Sequence, residues 1–506
     1  MGSESSALNP LENIVIVGGG TAGWMAAVAL SKVLSTNTKI TLVESDQIGT
    51  VGVGEATIPE IRKFNRMIGV DENEFLAATG GTFKLGIEFV DWKNLGSAYI
   101  HPFGKFGTEI DAVPFFQHLI KAWKLGHTGE MADYSLATLA SYANKFVRPV
   151  NIPNSPLQEI AYAFHFDAHL YAKFLRKMAE KQGVVRIEGK ITQVIQDASS
   201  GDISALQLES GQIINGDFFV DCSGFVALLM EKTLQVGYED WSYYLPCNSA
   251  VTVGSSRLDP LPSYTRATAK TAGWQWRIPL QHRTGNGYVY CDRYISDEQA
   301  QAELLNSIQG EILGQPKKIK FTTGRRQKSW EKNCIALGLS SGFLEPLEST
   351  SIHLVHEALA NFIALLPGKR VEPALRDKFN ALMEASYTNI RDFLVLHYYV
   401  NERTDSAFWT DLRAIDVPAR LREKLALFRE SGRVFRDMNE LFGDVSWFAV
   451  MHGQGLVANA YHPIVDTMDD RELLAELDNI RHVIASSCEQ MPLHQDYVER
   501  TCKFGI

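Results

Sequence analysis

Apolar and polar residues alternate in blocks near the start of the chain, and these blocks predict a strand, a helix and a second strand. Residues 13–17 (NIVIV) form a β-branched run of the kind found in buried parallel strands. Residues 24–30 are mostly apolar and predict a helix, and residues 39–43 predict a strand that ends at Glu44. The order and size of these elements predict the first unit of a parallel α/β sheet.

The same hydrophobic pattern returns much later in the chain. Residues 217–224 predict a further strand and a tight turn of the first sheet. Residues 334–342 repeat an apolar run followed by glycine, and a helix is predicted from about residue 350. A chain that returns so late to its first sheet is typical of two-domain FAD enzymes.

The segments between these returns are rich in β-type patterns. They cover roughly residues 184–215 and 247–292, and Gly211, Gly254 and Gly285–Gly287 are predicted to be turns within them. The C-terminal third changes character and predicts helices.

Helix formers with 3.6-residue spacing dominate residues 372–445, for example Leu421, Leu425, Leu427 and Phe428. We therefore predict an α/β (α+β, two-module) fold. It joins a Rossmann-like module to a mostly helical module. The predicted boundaries are residues 11–95 and 155–380 for the Rossmann-like module, and 96–154 and 381–506 for the helical module.

Composition narrows the class of function. The 506 residues suffice for two or three modules, and 45% hydrophobic residues are ordinary for a globular protein. A net charge of −10 predicts no basic face for nucleic acid. No apolar run reaches the ~18 residues of a membrane span. The first six residues lack the pattern of a secretory signal.

The six cysteines and thirteen histidines show no spacing of a metal site. The cysteines are scattered without a C-x-x-C pair, which predicts reduced thiols in a cytoplasmic protein. No H-E-x-x-H or similar spacing occurs among the histidines, so no metal is expected.

The glycine-rich run after the first strand has the spacing of a dinucleotide-binding turn. Gly18 permits a tight turn, Gly20 lets the backbone approach a pyrophosphate, and Gly23 lets the helix pack against the strand. The following helix N-terminus offers free N–H groups to phosphates. Glu44 stands where an acid binds a ribose hydroxyl and disfavours a 2′-phosphate. A glycine turn without a ligand is the alternative interpretation.

Aromatic residues outside this run are further candidates. Trp274 and Trp276, in the sequence WQWRIP, lie on one face of an extended segment and predict a flat, rigid wall beside a flavin. His101, Phe103 and Trp447 either belong to the core or sandwich a flat aromatic substrate.

Two charged residues stand in apolar surroundings. Lys84 lies in an alternating strand, where a lysine either extends to solvent or is buried and functional. Glu348, Ser349 and Thr350 precede a predicted helix, where they either cap its N-terminus or leave its N–H groups free for an anion such as halide. The loop 51–59 is either a strap along a flavin or a structured turn.

On these residues the chain resembles the flavin-dependent tryptophan halogenases over most of its length. The most specific parts are TFKLG around Lys84, WQWRIP at 274–279 and FLEPLEST at 343–350, in this order, with Trp447 after them. The resemblance implies that halide (chloride or bromide) is oxidised to hypohalous acid with reduced FAD and O2. The acid passes through an internal tunnel to Lys84 and halogenates an indole-type aromatic substrate by electrophilic substitution. The resemblance also implies that the Rossmann-like module is an FAD-binding domain of the flavin monooxygenase type and that the helical module binds the aromatic substrate. It further implies a separate NADH-dependent flavin reductase and a homodimer.

Individual residues acquire roles from the same resemblance. Lys84 carries the electrophile, and Glu348 positions it and stabilises or deprotonates the cationic intermediate. Trp274 and Trp276 form a barrier that keeps organic substrate away from the flavin. Further implied contacts are Thr350 and Ser351 for halide, His101, Phe103 and Trp447 for substrate, and Gly18, Thr21, Ala22, Glu44, Ala56, Val194, Leu339 and Ile352 for FAD, together with Gly20 and Gly23 of the glycine run.

Two departures from the family pattern affect the expected substrate and halide. Ser351 stands where many relatives carry glycine, a change that bears on halide preference. The segment Arg436–Asp444 is short and lacks the Tyr-rich lid that binds the amino acid end of free tryptophan. We therefore expect indole, a substituted indole or a larger aromatic compound to be a better substrate than free tryptophan.

A flavin-dependent aromatic hydroxylase is the main alternative function, and a non-catalytic flavoprotein or an FAD-dependent reductase is the third. Neither explains Lys84 together with Glu348. The halogenase mechanism requires these two side chains to converge in space, although 264 positions separate them.

Overall fold

The computed structural model describes residues 10–34, 36–47, 54–110 and 112–505. In chain order, the strands are β1 (Asn13–Val17), β2 (Lys39–Glu44), β3 (Gly54–Ala56), β4 (Thr82–Lys84), β5 (Gly86–Val90), β6 (Ala98–Pro102), β7 (Ala163–Asp167), β8 (Val185–Glu188), β9 (Ile191–Gln196), β10 (Ile203–Leu208), β11 (Ile213–Asn215), β12 (Phe218–Asp221), β13 (Tyr238–Asp240), β14 (Ser249–Ser255), β15 (Thr265–Lys270), β16 (Gly273–Pro279), β17 (Thr284–Tyr290), β18 (Ile312–Lys320), β19 (Gly324–Arg326), β20 (Trp330–Glu331), β21 (Cys334–Ala336) and β22 (Gly342–Phe343).

The α-helices are α1 (Thr21–Val33), α2 (Ile61–Ile68), α3 (Glu72–Thr79), α4 (Phe115–Lys124), α5 (Leu136–Tyr142), α6 (Ala168–Lys181), α7 (Asp297–Ser307), α8 (Ser351–Ala364), α9 (Pro373–Tyr399), α10 (Ala407–Arg413), α11 (Ala419–Ser431), α12 (Asp444–Gly453), α13 (Asp470–Glu489) and α14 (His494–Thr501). None of the helices in the described ranges is long and apolar enough to cross a membrane.

A six-stranded sheet in the order β20-β21-β12-β1-β2-β8 carries the predicted dinucleotide-binding unit. β1 pairs in parallel with both β2 and β12, and β12 pairs in parallel with β21. Both late returns to the first sheet are therefore confirmed. The strand β1 is buried over Ile14–Val17 because helices cover the faces of a parallel sheet, which explains its continuous β-branched run.

A seven-stranded sheet in the order β18-β14-β17-β16-β15-β5-β6 forms the second large layer. Two predicted turns are wrong, because Gly254 lies inside β14 and Gly285–Gly287 lies inside β17. A Cβ at Gly287 would stand 2.0 Å from a ring carbon of Trp276, and one at Gly285 would stand 3.2 Å from the backbone nitrogen of Gly54. These glycines permit close approach within the sheet, whereas Gly211 does lie in a turn.

A small three-stranded sheet in the order β3-β7-β4 joins the two large layers. β3 leads from the segment after β2, and β4 ends at Lys84. Residues 51–53 of the predicted strap lie outside the described residues, whereas its continuation, Gly54–Ala56, is β3. The sheet therefore holds Lys84 at a fixed place next to the end of that segment.

The C-terminal third is helical, as the spacing of its apolar residues predicts. Leu421, Leu425 and Phe428 form the buried face of α11. The seven-stranded sheet continues across the predicted boundary at residue 95, since β6 pairs with β5. The helix α9 likewise crosses the predicted boundary at residue 380. All six cysteines are unpaired and buried. The α/β architecture itself agrees with the predicted fold class.

Candidate active site

A cavity of about 650 Å³ opens where β1, β2 and β12 end. Ligands of open α/β sheets bind at the carboxyl ends of the strands, so its position is that of a nucleotide cofactor. Most of the residues predicted to contact FAD line this cavity: Gly18, Gly20, Thr21, Ala22, Glu44, Ala56, Leu339 and Ile352.

The glycine run shapes one wall of the cavity for a pyrophosphate. Gly18 has a φ of +107°, and a Cβ there would stand 2.3 Å from the carbonyl oxygen of Cys222. A Cβ at Gly20 would meet nothing within 4 Å, so the backbone is open on that side. The helix α1 begins at Thr21 without a side-chain cap or an acidic residue in its first turn. Its N–H groups are therefore free for phosphate oxygens, and the residues present fit FAD.

The two remaining predicted FAD contacts lie outside the lining. A Cβ at Gly23 would stand 1.9 Å from the carbonyl oxygen of Gly18, so Gly23 lets the helix approach the turn. Val194, on β9, packs on a separate hydrophobic cluster behind the cavity. The preceding residues 189–191 line the cavity in its place, because the chain turns from β8 into β9 there.

Trp274 and Trp276 line the same cavity from β16. Their ring planes are tilted by 55°, so the wall is not flat as the sequence suggested. The indole N–H of Trp274 donates to Oε2 of Glu345 over 2.9 Å, and the Tyr398 hydroxyl donates to the same oxygen over 2.5 Å. Glu345 is fully buried, and burial raises its pKa to about 7. A buried hydrogen-bonded group thus fixes Trp274 from behind.

Lys84 is completely buried at the end of β4 and does not extend to solvent. Its Nζ donates to the Thr57 carbonyl oxygen over 3.0 Å and to Ser349 Oγ over 2.8 Å. The Nζ atom also lies 5.1 Å from the ring centroid of Phe103. Burial lowers the pKa of Lys84 to about 7, and the charge of Glu348 opposes that shift.

Glu348 is buried in a short 3₁₀ turn directly before α8. Nδ1 of His101 lies 3.1 Å and 3.0 Å from its two carboxylate oxygens. Nε2 of His397 lies 2.8 Å from Oε1. Burial alone would raise the pKa of Glu348, but the charges and hydrogen bonds of His101 and His397 outweigh burial and lower it to about 2. Glu348 is therefore held as a carboxylate.

Lys84 and Glu348 converge, as the proposed chemistry requires. Lys84 donates a hydrogen bond to Ser349, the residue next to Glu348. The negative charge of Glu348 raises the pKa of Lys84. Ser349 has a φ of +58°, which turns the chain between the 3₁₀ turn and α8. This turn aims Glu348 at the two histidines and the Ser349 hydroxyl at Lys84.

Thr350 and Ser351 start α8, and no side chain caps this helix. The Oγ1 atom of Thr350 is buried without a hydrogen-bond partner among the described residues. Ser351 lines the cofactor cavity. A buried unsatisfied hydroxyl beside free helix N–H groups fits a small anion, so the capping interpretation of these residues is not supported.

The three aromatic residues predicted to bind substrate are all buried. His101 uses its ring nitrogen for Glu348, and Phe103 lies beside Lys84. Trp447 is completely buried on α12, with its indole N–H donating to Oε1 of Glu440 over 3.0 Å. His101 and Phe103 thus adjoin the two charged groups, whereas Trp447 lies in the aromatic cluster behind His101.

Sequence reasoning missed three residues of the site. His397 contacts Glu348 from the last turn of α9, and its Nδ1 lies 2.8 Å from the Phe393 carbonyl oxygen. Thr57 contributes only its backbone to Lys84, and Glu345 holds Trp274. A lone histidine in an apolar helix and a backbone carbonyl leave no sequence signal. The described residues also contain no cluster of three or more His, Cys, Asp or Glu side chains able to hold a metal.

The chain is similar to known proteins over most of its length. The family model described as tryptophan halogenase matches residues 13–470. Tryptophan 6-halogenase SttH of Streptomyces toxytricini is 34% identical over 97% of this chain and 98% of its own. A solved flavin-dependent halogenase from Xanthomonas campestris is 46% identical with a TM-score of 0.95, covering 98% of this chain and 99% of its own. BrvH, a flavin-dependent halogenase from Brevundimonas sp. BAL3, is 42% identical with a TM-score of 0.94, covering 97% and 99%.

Proposed function

The chain belongs to the tryptophan halogenase family, and from this premise we propose that it halogenates an indole-type aromatic substrate through Lys84 and Glu348. It is a flavin-dependent enzyme, and the hydroxylase alternative is not favoured. The observation that carries the proposal is the position of Lys84. The lysine bonds to Ser349, which lines the cofactor cavity, and touches Phe103, which does not line it.

Bound reduced FAD, together with O2, would supply the oxidising equivalents that convert halide to hypohalous acid. Gly18, Gly20 and the first turn of α1 would hold its phosphates. Ser351 and the unsatisfied hydroxyl of Thr350 would hold the halide at the start of α8. Because Trp274 and Trp276 close the same cavity, they would keep an organic substrate from the oxidant.

Two hydrogen bonds to the described residues leave the Lys84 nitrogen one further bonding position. Two of its N–H groups are used by Thr57 and Ser349, so a neutral amine keeps one lone pair and an ammonium keeps one N–H. The lone pair would attack the halogen of hypohalous acid and release water, giving an N-haloamine. The remaining N–H would instead hold hypohalous acid by a hydrogen bond. Either form places the electrophilic halogen at one fixed point beside Phe103.

Glu348 complements this electrophile. The substrate ring becomes cationic when its carbon binds the halogen, and a carboxylate held ionised by His101 and His397 stabilises that charge. The same carboxylate would accept the ring proton, which restores aromaticity. The proton then passes from Glu348 to the Lys84 nitrogen that gave up the halogen, so the products are the halogenated ring, the free amine of Lys84 and the ionised carboxylate.

We propose the finer identity of the substrate and partners from the sequence and from the family resemblance. The segment Arg436–Asp444 lacks a Tyr-rich lid, so indole, a substituted indole or a larger aromatic compound is proposed over free tryptophan. A separate NADH-dependent flavin reductase would supply reduced FAD. A homodimer is proposed from the family resemblance, and a cytoplasmic location from the same resemblance and the six unpaired thiols.

The test is a halogenation assay with FAD, NADH, a flavin reductase, bromide and indole, read by mass spectrometry. We expect a bromine isotope doublet in the wild type and its loss, by at least about 100-fold, in Lys84→Ala. FAD binding and NADH consumption should persist in that variant, which separates loss of the carrier from loss of the fold. A product that gains one oxygen would support the hydroxylase, and bromination by Lys84→Ala at the wild-type rate would contradict the carrier role.

A further inference from the structure

A second cavity, of about 440 Å³, lies between α5 and α13 and is separate from the cofactor cavity. We name it the α5–α13 cavity, and its apolar lining includes Leu85, Phe103, Ala137, Ala140, Ile480 and Val483. Its volume falls within the range of sites for drug-sized ligands, ~300–1,000 Å³. It therefore has room for more than a single fused ring system.

The side chain of Phe103 contacts both this cavity and Lys84. Leu85 follows Lys84 directly in the chain, and both Leu85 and Phe103 line the cavity. The Phe103 ring lies 5.1 Å from Nζ of Lys84. A ligand that packs against Phe103 is thus one aromatic ring away from the proposed halogen carrier.

The space on the other side, between His101 and Trp447, is taken by the protein's own side chains. Phe442 stacks on Phe393 with ring centroids 3.8 Å apart and lies 6.3 Å from the His101 ring. The edge of Phe393 meets Trp447 at 4.9 Å, and the ammonium of Lys424 lies 5.0 Å from the Trp447 ring centroid. A substrate larger than indole cannot extend in that direction without displacing these residues.

Small residues on α5 create the cavity opposite a matching face of α13. Ala137 and Ala140 are three positions apart and face the same side of α5. Glu476, Ile480 and Val483 recur at helical spacing on α13. Two alanines leave the room that larger side chains would fill.

The lining changes from apolar to polar toward the rim. Lys105 and Glu159 form an exposed ion pair of 3.1 Å there, and Asn479 and Glu476 add polar groups on α13. Polar and apolar surfaces contribute almost equally to the lining, so the cavity suits a ligand that combines an aromatic ring with a polar linking group. The occupant it fits is an uncharged aromatic compound of this kind, for example one with an amide.

We propose that the α5–α13 cavity binds the non-reacting part of an extended aromatic substrate, whose indole-type ring is placed at Phe103 for halogenation. This inference rests on the proposed function for the reaction, but not for binding. Phe103 would contact both the indole-type ring and the non-reacting part of the substrate. The residues of α5 and α13 that line the cavity would determine how long a substrate the enzyme accepts. N-benzoyltryptamine, an indole with a second phenyl ring on an amide tail, is a suitable probe.

The experiment compares two cavity-filling variants with a matched control. Ile480→Trp and Ala137→Trp place a large ring at partly buried positions of the lining, whereas His482→Trp adds the same ring at an exposed position of α13 outside the lining. Overpacking a site costs ~1–3 kcal/mol, so we expect the Kd of N-benzoyltryptamine, measured by calorimetry, to rise about 10-fold or more in the first two variants. His482→Trp should stay within about twofold of the wild type.

Turnover separates this inference from the proposed function. With bromide and reduced FAD, the two cavity variants should lose about 10-fold in kcat/KM for N-benzoyltryptamine and change less than about threefold for indole. If the wild type binds the probe but brominates neither compound, the proposed function fails while the cavity assignment stands. If the wild type does not bind the probe, or if both cavity variants bind it as the wild type does, the cavity assignment is overturned.

Discussion

The lowered pKa of one buried amine, that of Lys84, predicts a pH-dependent halogenation rate. Burial lowers the pKa of Lys84 to about 7, so its neutral fraction rises as the pH increases through neutrality. If the neutral amine takes the halogen, the rate of indole bromination should rise roughly fivefold to tenfold between about pH 6 and pH 8. The measurement is a single-turnover rate with prereduced FAD, and flavin oxidation in the same samples is the control.

The carboxylate of Glu348 also affects the pH at which Lys84 loses its proton. The negative charge of Glu348 raises the pKa of Lys84 against the effect of burial. Glu348→Gln should therefore move the midpoint of the profile to lower pH, besides lowering the rate. A rate that falls as pH rises would show that the ammonium form holds hypohalous acid by a hydrogen bond. That outcome would exclude the haloamine route.

At the scale of single residues, the sequence offered candidates but did not show their surroundings. Lys84 and Glu348 became candidates because they stand in specific motifs, but burial of Lys84 could not be decided from an alternating strand. Its burial arises from β3, β7 and the turn at Ser349, which lie far apart in the chain. His397 remained unnoticed because its partner Glu348 comes from another helix start.

Glycines in β17 show how a local signal can be misassigned at the scale of an element. Gly285 and Gly287 look like turn residues, yet both pair within the seven-stranded sheet. The strand uses them because the Trp276 ring and the backbone of β3 lie against it. Parallel strands such as β1 and β12 were predictable, because burial on both faces demands a continuous apolar run.

Gly287→Ala should disturb the tryptophan wall. The new Cβ would stand 2.0 Å from a ring carbon of Trp276, so the indole must move toward the cofactor cavity. We expect a loss of about 1–3 kcal/mol in the free energy of unfolding and a weaker affinity for FAD. Thermal unfolding with and without FAD, together with flavin fluorescence titration, measures both effects.

Gly254→Ala is the matched control on the adjacent strand β14. Its Cβ would meet its nearest atom at 3.5 Å, which is an ordinary contact. The stability and the FAD affinity of this variant should stay near those of the wild type. Equal effects of the two substitutions would mean that any alanine in this sheet is harmful and that the Trp276 contact plays no specific part.

At the scale of the whole molecule, a buried partition separates the cofactor cavity from the α5–α13 cavity. Ser349 lines the cofactor cavity, Lys84 bonds to Ser349, and Phe103 lines the α5–α13 cavity. Lys84 and Glu348 are no more than 1% exposed. The predicted module boundaries do not coincide with this plan, because β6 of the second predicted module pairs with β5 of the first and α9 extends across residue 380.

This partition predicts that hypohalous acid reaches the substrate inside the protein. A scavenger in solution, such as free methionine in excess, consumes any acid that escapes. The yield of bromoindole from the wild type should fall by less than about twofold when methionine is added, since a water-excluding interior keeps the reactive species from solvent. Lys84→Ala lacks the carrier, so acid formed in the cofactor cavity should escape and appear as methionine sulfoxide. If methionine abolishes bromination by the wild type as well, the acid acts in bulk solution and the partition does not confine it.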